Sequence, residues 1–391
     1  MVLVCLLMTA SYPSDFVWGA ATSAHQAEGI FEGGENGDWY TFEHQPGSIF
    51  NDDNADVSVD FWHRYDEDFA LAERMGLDSV RISIAWEKVE PQPGVFNRAA
   101  LSHYRDILRS MHTHHLTPLV ALHHFTHPRW FHTQGGWPDP RAAAWFVRYV
   151  EAVEAALGDL CHDWITFNEP NVQVHLGYWK GTYPPNERSL FRSVKAGLTL
   201  LQAHQGAAKY LRKKGHRVGL VQSLQLYSGP GSRWLEWIAN WAWLDQAMAH
   251  TPIDWLGVNY YGHFHIGGTQ CPGRVADNGW CLDPAGLATI INKTAARYPG
   301  ARLMVGENGL ADREDRLRPE ILRESLQALD TVANKVHGYY HWSLTDNFEW
   351  LHGYRYHFGL VAVGPDGTRE PRKSADIYRE EIVRRRREST R

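Results

Sequence analysis

Two glutamates stand where a barrel enzyme keeps its reactive groups. Glu169 lies in the run Thr166-Phe167-Asn168-Glu169-Pro170, and Glu307 lies in Gly306-Glu307-Asn308-Gly309. Each follows an apolar, β-branched stretch, 163–167 and 301–305, that reads as a buried strand. A carboxylate at the carboxyl end of a parallel barrel strand sits on the face that carries the chemistry of such barrels. Two of them suit the paired-carboxylate cleavage of a glycosidic bond. The glycosidic oxygen is a poor leaving group, so one carboxyl must hold a proton near neutral pH while the other stays ionised. Neighbouring carboxylates push their pKa values apart, which supplies that division.

The elements that must hold these groups alternate along the chain. Strand-like runs fall at 16–20, 79–84, 118–123, 164–168, 218–222, 255–260, 303–306 and 338–342. Between them lie amphipathic stretches. One starts at Asp139-Pro140, a cap followed by proline, and would bury Trp145, Tyr149, Val153 and Leu157. Another, 317–334, carries Ile321, Leu322, Leu326 and Leu329 at helical spacing. Eight strand–helix repeats predict an α/β chain folded as a single (β/α)8 TIM barrel. A doubly wound sheet is disfavoured because no glycine-rich dinucleotide turn follows the first strand. Polar and aromatic residues recur at the strand ends: His124, Asn168 with Glu169, Asn259 with Tyr261, Glu307, and Trp342 with Glu349 and Trp350. Scatter over all loops would not put them there. Arg81 lies within the second strand.

Composition narrows the class. The chain has 391 residues, 43% hydrophobic and 21% charged, which suits a large folded core. Its 39 basic and 45 acidic residues give a net charge of -6 and no nucleic-acid footprint. The run Arg384-Arg385-Arg386-Arg387 is expected to be a solvated helix end. Residues 1–10 form a short apolar extension ahead of the barrel, 11–391. A signal peptide, an upstream start with Met8 as the natural beginning, and an ordered strand or dimer contact remain open for it. Cys5, Cys161, Cys271 and Cys281 lack metal-ligand spacing, and a cytoplasmic location is the simpler assumption. Whether Cys271 pairs with Cys281 stays open. His123, His127 and His132 crowd one loop without a zinc-type spacing, so no metal is expected. The tryptophans at 234, 237, 241 and 243 cannot be assigned by period.

These residues also carry a resemblance. The chain resembles the glycoside hydrolase family 1 β-glycosidases over nearly its whole length. The matching runs begin at Phe16-Val17-Trp18-Gly19-Ala20 and continue through Gln26, Arg81 to Trp86, His124 to Pro128, and Thr166 to Pro170. They end with Asn259-Tyr260-Tyr261, Glu307-Asn308-Gly309 and Trp342 to Trp350. The resemblance implies Glu169 as general acid/base and Glu307 as nucleophile. It implies Gln26, His124, Asn168, Glu349 and Trp350 around the terminal sugar, with Trp342 as its stacking floor. Tyr261 would stand beside the nucleophile, Asn259 would support the acid/base, Arg81 would keep the nucleophile ionised, and Phe358 would lie at the rim. The implied activity is retaining exo-hydrolysis of terminal β-D-glucosides, with β-D-fucosides and β-D-galactosides also accepted and transglycosylation as a side reaction. No cofactor is implied. The expected partners are small β-glycosides or short oligosaccharides, with neither nucleic acid nor membrane.

Two departures stand out. Gly306 replaces the threonine usual before the nucleophile. The interval between Glu169 and Tyr261 is short, with Ser228-Gly229-Pro230-Gly231-Ser232 in place of a longer loop and helix after 218–222. Loops on that face shape the leaving-group side. Rival readings each meet a residue that opposes them. A thioglycosidase or an inactive sugar binder would lack Glu169 or Glu307. A 6-phosphoglycosidase would lack the carboxylate of Glu349, which repels phosphate. An endo-glucanase would lack the pocket suggested by Glu349-Trp350.

Overall fold

Eight runs rich in branched and aromatic residues close into one parallel barrel in the computed structural model, which describes residues 12–267 and 271–389. The strands are β1 (Val17–Ala21), β2 (Ser79–Ser83), β3 (Thr117–Ala121), β4 (Asp163–Asn168), β5 (Arg217–Ser223), β6 (Trp255–Asn259), β7 (Leu303–Asn308) and β8 (Val336–Trp342). Each pairs with its sequence neighbour, and β8 closes onto β1 with Val17 opposite Gly338 and Ala21 opposite Trp342. The α/β barrel expected from the alternation is therefore present. The main outer helices are α1 (Phe61–Arg74), α2 (Arg98–Thr113), α3 (Ala142–Leu157), α4 (Leu190–Lys213), α5 (Ala242–His250), α6 (Gly286–Arg297), α7 (Arg318–Asp330) and α8 (Lys373–Ser389).

Strict alternation sorts β2. Val80 and Ile82 pack outward with the helices, and Arg81 between them turns inward. In β4 the alternation breaks. Ile165 faces the barrel interior, yet the next two side chains both leave it. Thr166 Oγ1 meets His204 of α4 at 2.7 Å, and Phe167 stacks on Phe146 of α3 at 4.6 Å. The ladder with β5 shifts between Ile165 and Asn168, so Asn168 returns to the interior. Similar shifts mark β6 with β7 at Val258/Asn259, and β7 with β8 near His341. The irregularities thus gather at strand ends and re-aim the polar residues there.

Several expectations need correction. α3 begins at Ala142 because Asp139 caps a turn ahead of it, bonding the Arg141 amide at 2.8 Å. Its core face is Phe146, Tyr149, Val150, Val153 and Leu157; Trp145 is only half-buried. The arginine run is not a purely solvated end. Arg385 is 1% exposed, and its guanidinium bonds both Asp330 oxygens at 2.8 Å. Cys271 and Cys281, whose pairing the sequence leaves open, are disulfide-bonded. The 1–10 extension lies outside the described residues. Among the described residues no helix is long and apolar enough to cross a membrane.

Candidate active site

Glu307, at the end of β7, is 3% exposed and has both oxygens held. Arg81 Nη2 donates to its Oε1, and the Tyr261 hydroxyl donates to its Oε2. Arg81 is fully buried and its Nη1 also donates to Asn168 Oδ1 at 3.0 Å. A charge-assisted bond in a dry interior is among the stronger ones available to a carboxylate. Gly306 has a steric reason. A Cβ there would lie 2.7 Å from Asn259 Oδ1 and 2.9 Å from Val221 Cγ1, so the glycine admits Asn259 to the site.

Glu169 directly follows β4 and adopts a left-handed backbone, φ 50 and ψ 57, before the short helix Pro170–Val174. A non-glycine residue in that region stores strain, and such residues gather at functional sites. The turn directs the side chain back over the barrel. Asn259 Nδ2 donates to Glu169 Oε1 at 3.0 Å and to Asn168 Oδ1 at 3.3 Å. No cation touches this carboxyl among the described residues. Burial, and then the charge of Glu307, pushes it up to about 8. The two glutamates therefore occupy unlike settings, one clamped by a guanidinium and a phenol, the other poised to keep a proton.

The remaining expected residues converge on the same face. Gln26 Nε2 donates to Glu349 Oε2 and to Asn347 Oδ1, each at 3.3 Å, and Ser23 Oγ fixes the Gln26 carbonyl at 2.8 Å. Burial, followed by the charges of Glu307 and Glu169, pushes Glu349 up to about 8. His124 accepts from Asn168 Nδ2 at 3.4 Å and stacks between Trp342 and Trp350, at 5.9 and 6.0 Å. Burial and the Arg81 charge hold it well below the usual histidine range, so the ring is neutral. Trp342 lies under the Arg81 guanidinium at 5.7 Å, and Phe358 packs edge-on to Tyr261 at 6.3 Å. Of the crowded histidines, His127 is held by Asp38 at its Nδ1, 2.8 Å, and by the Trp137 indole N–H at its Nε2, 2.7 Å.

Sequence reasoning missed four neighbours of the site. Asn347 sits in the quoted 342–350 run, so a signal for it was present. Gln225 Oε1 accepts from the Tyr261 amide at 3.1 Å and aims that ring. Tyr183 packs against Trp350 at 5.9 Å, and Trp280 against Tyr261 at 5.4 Å. These three come from loops with no periodicity to reveal them. The unassigned tryptophans divide: Trp241 is buried, Trp243 Nε1 donates to the Gly197 carbonyl at 2.8 Å, and Trp234 and Trp237 are exposed.

The family model for glycosyl hydrolase family 1 matches residues 8–232 and 244–387. Thermostable beta-glucosidase B of Thermobispora bispora is 33% identical over 436 aligned positions, covering 96% of this chain and 91% of that protein. A bifunctional beta-D-glucosidase/beta-D-fucosidase of Bifidobacterium breve is 29% identical, with 96% and 99% covered. The solved family 1 β-glucosidase from Thermotoga maritima superposes with a TM-score of 0.91 at 27% identity, covering 96% of this chain and 99% of that one. With an eight-stranded barrel that gathers two glutamates and a set of polar and aromatic side chains at one end, the chain belongs to glycosyl hydrolase family 1 and is a β-glucosidase-like glycoside hydrolase.

Proposed function

We propose that this protein removes terminal β-D-glucosyl units by double displacement with retention, using Glu307 as nucleophile and Glu169 as acid/base. The observation that carries this reading is the unequal setting of the two carboxyls. Glu307, held by Arg81 and Tyr261, attacks the anomeric carbon while the Glu169 proton passes to the departing oxygen. The glycosyl ester on Glu307 is then cleaved by water, whose proton returns to Glu169. Asn168 bonds the sugar 2-hydroxyl in this reading, a contact that strengthens as the ring gains oxocarbenium character. Gln26, Glu349, Trp350 and neutral His124 address the outer hydroxyls, and Trp342 offers its face to the C–H groups. The Bifidobacterium breve relative is named for fucosidase as well as glucosidase action, which supports β-D-fucosides beside β-D-glucosides here; β-D-galactosides belong to the same reading. For location, the Cys271–Cys281 bond weighs toward an oxidising compartment and against the cytoplasm.

A panel of nitrophenyl glycosides tests this assignment. The β-glucoside and β-fucoside should be cleaved and the α-glucoside left intact; cleavage of the α-anomer alone would reject it. The short segment 228–232 after β5 supports an open leaving-group side. At one terminal sugar, aryl glucosides, alkyl glucosides and cellobiose should agree in kcat/KM within about a thousand-fold. A wider spread, over roughly 4 kcal/mol of transition-state binding, would mean a tight aglycone site. Acceptors other than water should then give transfer products at high substrate concentration.

Arg81→Met should move the acidic limb of the kcat/KM profile to higher pH, since it removes the cation that favours an ionised neighbour. An unmoved limb in the folded variant would make Arg81 purely structural. Glu169 also bears on stability. Below the unfolded value of 4.5 both states are protonated; as pH rises toward about 8 the unfolded chain loses its proton first, so stability falls. Glu169→Gln should therefore raise Tm by several degrees at pH 9 and leave it nearly unchanged at pH 4. Equal effects at both values would place the strain elsewhere than in the charge.

A further inference from the structure

One face outside the site is built unlike the rest of the surface. Of the fourteen large apolar side chains exposed among the described residues, eight fall on three helical segments: 170–179, α4 and 232–250. These segments pack side by side. The Ser189 amide donates to the Tyr178 carbonyl at 2.8 Å, and Asn171 Nδ2 donates to the Ala239 carbonyl at 2.9 Å. Trp243 joins α5 to α4 through Gly197. On α4, Leu190, Phe191, Val194 and Leu198 form a stripe opposite the buried Ala196, Leu200 and Ala203. Trp179 ends the first segment, and Trp234, Leu235 and Trp237 crown the third, where Trp234 is 71% exposed. That last group lies in 233–243, which the family model does not match. Large apolar side chains exposed in such number on neighbouring segments mark an interaction surface.

The charge on this face is equally uneven. Lys180, Arg188, Lys195 and Arg233 are exposed and form no ion pair among the described residues. The carboxylates nearby are already matched, Glu187 with Arg192 and Glu236 with Lys293. A chain of net charge -6 thus presents four cations without a carboxylate partner, of which Lys195 lies over the Phe191 ring at 4.6 Å. Aromatic and aliphatic side chains interleaved with lysine and arginine are what an anionic bilayer interface accepts. A second copy fits poorly, because a two-fold contact would set the patch against itself and its cations against one another.

We propose that this face seats the protein on an anionic phospholipid bilayer, tryptophan and leucine entering the interface and the four cations meeting the headgroups. The family resemblance implies no membrane partner, but lying on a bilayer requires no spanning helix. Asn171, two residues beyond Glu169, holds the 232–250 segment, so the docked face borders the leaving-group side of the site. Co-sedimentation of the full chain with vesicles tests this. With vesicles of phosphatidylcholine and roughly one-third phosphatidylserine at low salt, the protein should pellet, and with pure phosphatidylcholine it should pellet far less. A triple Phe191→Ser, Trp234→Ser, Trp237→Ser variant and a double Lys180→Glu, Arg233→Glu variant should each lose about ten-fold or more in apparent lipid affinity. Both should keep wild-type hydrolysis of a soluble nitrophenyl β-glucoside, which shows them folded. Wild-type protein left in the supernatant, or variants that bind as well as wild type, would overturn the proposal. A dimer in light scattering that the triple variant dissolves would assign the face to a second copy instead.

Discussion

Glu307→Gly should lower kcat for an aryl β-glucoside by about 10⁴–10⁶-fold, or roughly 5.5–8 kcal/mol of barrier, because the covalent route disappears with the nucleophile. The variant should stay folded, since Gly306 and the β7 ladder do not depend on the side chain. Azide offers the decisive control. A small anion can enter the space left beside Arg81 and Tyr261 and attack from the same side as the lost carboxylate. The product from a β-glucoside should then be the α-glycosyl azide. A β-azide, or a loss smaller than about a hundred-fold, would remove Glu307 from the nucleophile role.

Glu169→Gln should separate substrates by leaving group. An alkyl β-glucoside needs the proton and should lose about 10³–10⁴-fold; general acid help is typically worth 10²–10⁴. A dinitrophenyl β-glucoside leaves readily as the phenolate and should lose little in its first step. The profile of kcat/KM against pH should change with it. In the native protein the basic limb should fall near the value of about 8 held by the buried Glu169, as the acid gives up its proton. The two limbs belong to a coupled pair rather than to single residues. In the variant the basic limb should vanish. Equal losses for both leaving groups, with the limb intact, would take Glu169 out of the acid role.

The barrel was largely legible because parallel strands are buried on both faces and read as continuous apolar runs. The expected strand 164–168 and the observed Asp163–Asn168 differ by one residue. The shift within β4 was not legible, because a two-residue period cannot reveal two successive outward side chains; their partners, His204 and Phe146, belong to other elements. Arg385 was misread for a related reason. A run of arginines looks solvated until Asp330 arrives from another helix. The site was legible through its runs, which named both glutamates and the residues now seen around them. Tyr183, Gln225 and Trp280 escaped because loop conformation alone carries them inward. The role of Gly306 needed coordinates, since only they show Asn259 in the volume a side chain would fill.

The most direct test of double displacement at Glu169 and Glu307 is the stereochemistry of the first product. Hydrolysis of a nitrophenyl β-glucoside, followed by proton NMR before mutarotation, should show β-glucose appearing first and the α-anomer growing only later. Retention requires two inversions, one at Glu307 and one by water. If α-glucose appears first, a single displacement by water has occurred, and the assignment of Glu307 as nucleophile is wrong.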